Sequence, residues 1–176
     1  MAKLWPKRLL TLNNSIKPNW LSQWAYLGYK PRMRLIYSLQ EELDAHPQRM
    51  ADTQALTLDK SRPFGLKVTY GLFGSPELWA NIERGVSPVE TLAGRTTRIY
   101  RLGMHNEGQG FEMTLDDGTL YKYSCVANRR KNLSAYQIGK RIEFSMMFDP
   151  LKNSTPGATG EPDTHPRVVL KVLVSE

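Results

Sequence analysis

A chain of 176 residues with 40% hydrophobic, 10% aromatic and 23% charged side chains has the composition of a globular protein and excludes an intrinsically disordered one. The formal charge of +7 and the pI near 9.6 favour contact with polyanions, either nucleic acid or anionic lipid headgroups. A single cysteine, Cys125, excludes an intrachain disulfide and any zinc site with more than one thiolate.

Residues 1–40 hold seven cations (Lys3, Lys7, Arg8, Lys17, Lys30, Arg32, Arg34) and the tryptophans Trp5, Trp20 and Trp24, and the first acid is Glu41. Tryptophans favour the membrane–water interface and unopposed cations are drawn to anionic lipid. Trp5, Lys7, Arg8, Trp20, Trp24, Arg32 and Arg34 are therefore candidate contacts with a membrane surface or a protein partner. Pro6, Pro18 and Pro31 prevent one long amphipathic helix there. No apolar run reaches the roughly 18 residues that span a bilayer. The basic start is broken by Pro6 and Lys7-Arg8, which argues against a secretory signal. The expectation is a cytoplasmic protein, with peripheral membrane contact through this segment as the variant.

Pro31–His46 reads as a helix, with Pro31 at a first helical position and Met33, Ile36, Leu39, Gln40 and Leu43 recurring at helical spacing. Residues 47–63 are polar and interrupted and read as a connector. Ser75–Gly85 carries the marks of a short helix: Ser75 as cap, Pro76 at N1, Glu77 in the first turn and Gly85 just past the end.

From Val89 the hydrophobic period falls from about 3.6 to 2. Residues 97–102, 110–115 and 119–126 alternate as strands, and Asp116-Asp117-Gly118 between the last two predicts a hairpin. Residues 132–139 suit one helical turn, 141–148 and 167–174 are strands, and 149–166 forms a Pro/Gly/Thr-rich loop. The chain thus reads as α+β: a basic region with one or two helices over 1–88, then a five-stranded antiparallel domain over 89–176. A helix between the third and fourth of five strands is the element order of an OB-like barrel, and a β-sandwich fits nearly as well.

Nucleic acid binding needs cations for phosphates beside aromatic faces for bases. Alternation along 119–126 turns Tyr121, Tyr123 and Cys125 to the core, leaving Lys122 and Ser124 outside. On the first strand Arg98 and Tyr100 share a side. The run Arg129-Arg130-Lys131 falls in a loop, close in sequence to Lys140 and Arg141. These seven residues, from Arg98 to Arg141, are the candidate interface for single-stranded or irregular nucleic acid. A membrane or protein partner docked through the N-terminal segment is the alternative.

Catalysis is not expected. His46, His105 and His165 stand apart, without metal-ligand spacing, so no metal or other cofactor is implied. Cys125 lies within a strand, as a small hydrophobe does, and Asp116 and Asp117 are better explained by the turn before Gly118 than by acid–base chemistry.

Overall fold

Met33 opens a strand, not the first turns of a helix. The computed structural model describes residues 31–152 and 167–176. Within them β1 (Met33–Ser38) runs antiparallel to β6 (Arg167–Ser175), and α1 (Leu39–Ala45) starts only after Ser38, whose hydroxyl accepts from the Glu41 N–H at 3.4 Å. The sequence signal misled for a definite reason. The β1–β6 register shifts between Leu35 and Tyr37, so Ile36 and Tyr37 both turn inward, at 2% and 5% exposure. A bulge breaks the period of two and leaves inward spacings that imitate a helix.

The predicted connector is a helix as well: α2 (Pro47–Leu58), with proline in its first turn. Its end is satisfied from a distance, since the Lys152 ammonium donates to the carbonyls of Leu56 (3.0 Å) and Asp59 (2.9 Å). A cation on the last carbonyls stabilises a helix C-terminus. That cap lies more than ninety positions away, so no local pattern announces it. By contrast α3 (Pro76–Glu83) forms as its sequence predicts: Ser75 Oγ accepts from the Leu78 N–H at 3.2 Å, and Gly85 takes a positive φ of 69°.

β2 (Val89–Leu102), β3 (Gly108–Leu115), β4 (Leu120–Ser124) and β5 (Arg141–Phe148) join β1 and β6 in one antiparallel sheet of order β1-β6-β5-β2-β3-β4. The β3–β4 hairpin turns at Asp116-Asp117-Gly118 as expected, with Gly118 at φ 90°. A 3-10 helix, Arg130–Ala135, occupies the β4–β5 connection.

The protein is α+β, but the sheet is open: it has six strands, is not closed into a barrel, and corrects the OB-like and sandwich expectations. The sixth strand is β1, hidden in the misread helix. It lies in the 1–88 stretch and its partner β6 in the 89–176 stretch, so the sheet draws on both. The edge strand β1 is tied to the segment beyond β4, the other edge strand, through one residue. Asn128 donates its backbone N–H to the Ile36 carbonyl (3.1 Å) and its Nδ2 to the Ser38 carbonyl (2.9 Å), while its Oδ1 accepts from the Ser38 N–H (2.7 Å).

Register assigns the two faces, because residues paired across antiparallel strands point the same way. Ile99, Phe111 and Tyr123 align across β2, β3 and β4, and Leu92, Phe144, Val172 and Tyr37 align across β2, β5, β6 and β1. These side chains meet in the core with Leu39 and Leu43 of α1. Each fully buried ring, such as Phe111 or Phe144, contributes roughly 1.5–3 kcal/mol. Gly94 is required where β2 is crowded by β3: a Cβ there would lie 2.3 Å from the Thr114 carbonyl oxygen.

Candidate functional site

Two features of the 31–152 and 167–176 residues can meet a ligand. The first is a cleft of about 710 Å3 on the core side of the sheet. Tyr37, Tyr123 and Cys125 line its sheet wall, while Thr53 and Leu56 of α2 line the other. The ion pair between Arg49 and Glu42 also borders it. Burial raises the Tyr37 hydroxyl above its ordinary pKa, with the Arg49 charge opposing the rise. Burial alone pushes the Cys125 thiol up to about 12. A thiol that keeps its proton at neutral pH is a poor nucleophile. The cleft is thus largely apolar in chemistry, with the Arg49–Glu42 ion pair and the Arg167 side chain among its lining.

The second feature is the outer face of the sheet. Leu35 and Leu173 stand opposite one another, in line with Glu143 and Ala93. The next rungs place Arg95 opposite Arg141, and then Arg98, Glu112 and Lys122 in line, with Lys171 toward the other end. Leu35 is 50% exposed although it sits within a strand. This face pairs an apolar step with cations: five basic side chains against the carboxylates Glu112, Glu143 and Asp116, among the described residues.

Arg98 and Tyr100 share the outer face as alternation predicts, with the guanidinium 5.8 Å from the ring centroid. The Tyr100 ring lies over Gly110, where a Cβ would come within 2.7 Å of it, so one ring face covers backbone. Arg141 holds Asp116 in a bidentate pair at 2.8 and 2.6 Å, with Glu143 at 3.6 Å. That pairing holds its guanidinium firmly protonated, the Asp116 hydrogen bond being the largest cause.

Arg129 stands 3.9 Å from Glu41, while Arg130 and Lys131 belong to the 3-10 helix, so the basic triad is not the open loop the sequence suggested. Lys140 and Arg34 line a small hollow at one end of the sheet, and Arg32 pairs with Glu176 at 3.0 Å. The seven cations and aromatics of the nucleic-acid candidate set are therefore spread over separate places. Trp5, Lys7, Arg8, Trp20 and Trp24 lie outside the described residues.

Tyr121 and Tyr123 face the core as read from the sequence, with Tyr123 4.9 Å from the Phe144 ring. Tyr136 is buried and exchanges two hydrogen bonds with the Val126 backbone. Sequence reasoning missed Leu35, Leu173 and Lys171 on the outer face. The misread helix hid the first, while the alternation of β6 could have shown the other two. Among the described residues no helix is long and apolar enough to cross a membrane, and no group of three or more His, Cys, Asp or Glu is placed to hold a metal ion.

A family model described as immunity protein RhsI2 matches residues 33–175. The chain belongs to the RhsI2 immunity protein family. Its partner is accordingly a protein, which overturns nucleic acid as the ligand and favours the alternative of a protein partner. No curated protein matches the chain. The RhsI2 match begins on the first residue of β1 and ends on the last residue of β6, so it covers the whole sheet. It leaves out nearly all of the basic, Trp-rich segment. That segment also carries most of the charge imbalance. Five of the 24 cations and none of the 17 acids precede residue 32, leaving 19 against 17 in the remainder. The overall charge that suggested a polyanion is thus mostly a property of residues beyond the RhsI2 match.

Proposed function

We propose that this protein is a non-catalytic immunity protein that neutralises its cognate Rhs toxin by forming a stoichiometric complex with it. The observation that carries the reading is the family match over residues 33–175, which takes in every strand and helix described above. The cleft offers no activated nucleophile among the residues named above. Its thiol is held protonated, and its tyrosine hydroxyl is likewise raised by burial. An inhibitor of this kind needs a preformed surface, and a single sheet with a packed core supplies one at little conformational cost on binding.

The reading is tested by expressing the toxic domain of the cognate Rhs protein with and without this chain. Growth is expected to be restored in its presence, and the two purified proteins are expected to elute as one complex of defined stoichiometry. A toxin that kills equally well beside the folded protein, and that elutes separately from it, overturns the proposal.

A further inference from the structure

The outer face of the sheet is built differently from a face meant only to meet water. Leu35 and Leu173 are directly opposed on neighbouring strands, where Cβ atoms lie about 5 Å apart, and form a two-residue apolar step. Solvated faces of antiparallel sheets ordinarily alternate polar residues at such positions. Beside the step, Arg95 and Arg141 are directly opposed on β2 and β5. Like charges in that relation destabilise a sheet. Here each is answered locally, Arg141 by Asp116 and Arg95 by the Gly139 carbonyl at 2.9 Å, so the arrangement is tolerated rather than favoured. Arg98 over Tyr100, Lys122 and Lys171 extend the positive character across the sheet.

Resting on the immunity reading, we infer that the outer face of the sheet is the docking surface, and that it takes an acidic face of the toxin with an apolar contact at Leu35 and Leu173. The charge balance of the face argues for that occupant: five cations against the carboxylates Glu112, Glu143 and Asp116 leave it net positive, which attracts carboxylates and repels a basic surface. Aromatic and arginine side chains such as Tyr100 and Arg98 are the kinds that anchor interfaces, whereas a lysine such as Lys171 contributes mainly to the rate of encounter. The surface thus selects its partner by charge and holds it by the apolar step and the Arg98–Tyr100 pair.

The test uses the full chain and the toxic domain of the cognate Rhs protein, with affinity measured by calorimetry and fold by thermal melting. Arg98→Glu with Lys171→Glu, and separately Leu35→Glu, are expected to weaken binding about tenfold or more at an unchanged melting temperature. Arg98→Ala with Lys171→Ala retains the test if the glutamates disturb folding, with a smaller loss expected. Wild-type affinity is expected to fall as salt rises from about 0.05 to about 0.5 M. Thr53→Glu, at the cleft on the opposite side of the sheet, is expected to bind as wild type does. Wild-type binding that survives all the outer-face variants, or that is lost in Thr53→Glu alone, overturns the docking face and leaves the immunity reading standing. Failure of the wild-type protein to bind the toxin overturns both.

Discussion

The two faces of this sheet are made by the same strands and obey opposite rules. On the core face, Phe111, Phe144, Val172 and Ile142 are shielded from solvent completely, and neighbouring rings lie 4.9–6.4 Å apart. On the outer face, side chains one position away in sequence are long, charged and paired at the surface, as Lys122 is with Glu112 at 3.1 Å. The difference teaches which residues hold the fold and which are free to be spent on recognition. Interior packing is sensitive to single methylene groups. Exposed ion pairs are worth only about 0–1 kcal/mol. The outer face can therefore vary with its partner while the core face holds the sheet.

That contrast can be broken most directly at its strongest point. Phe144→Ala removes a ring that touches Phe111, Tyr121 and Tyr123, and is expected to cost about 3–5 kcal/mol in urea denaturation. Should it cost no more than an outer-face change, the two faces do not differ as described. Asn128→Ala comes next, since it strips partners from both the N–H and the carbonyl of Ser38 while leaving the hydrophobic core intact. A loss of about 1–3 kcal/mol is expected, with hydrogen exchange accelerated at β1 before the central strands.

Asp149 sharpens the comparison because it is a carboxylate belonging to neither environment. It is 1% exposed, one of its oxygens has no partner, and burial raises its pKa despite hydrogen bonds from Thr69. A folded-state pKa above the unfolded one makes its contribution most favourable in acid, and that contribution is lost as pH rises through the folded value. Asp149→Asn is thus expected to raise the melting temperature at pH 7, with the gain closing as the pH falls and the wild-type carboxyl becomes protonated. A gain that grows in acid would contradict this assignment. The smallest effect belongs to the outer face: Arg98→Ala is expected to change stability by no more than about 0.5 kcal/mol in the same denaturation assay.

Much of the sheet was legible in the sequence. The alternation of Tyr121, Lys122 and Tyr123, the turn at Asp116-Asp117-Gly118 and the capped helix at Ser75 are local signals, and each forms where it is written. The failures are equally physical. β1 exists because β6 pairs with it, and its bulge at Ile36 disguises the pattern that would have revealed a strand. α2 draws its C-terminal cap from Lys152, and β1 is tied by Asn128 to the segment beyond β4, through groups that become neighbours only after folding. The site was harder still. Arg98 and Tyr100 could be placed on one face from period alone, but the run Arg129-Arg130-Lys131 drew attention through adjacency in sequence. Leu35 and Lys171, distant in sequence, instead come together on the outer face. Net charge misled for a related reason, since the surplus sits largely in the first 31 residues, before the RhsI2 match begins.

The pairing of Met33 with Ser175 also sets a timetable. β1 leaves the ribosome among the first strands, and its hydrogen-bonding partner follows about 140 residues later. At synthesis rates of about 5–20 residues per second, it waits roughly 7 to 30 s for that partner. During that interval its backbone groups are open to mispairing or to chaperones. The sheet closes its register only when nearly the whole matched region has been made, and contacts so distant in sequence slow folding further.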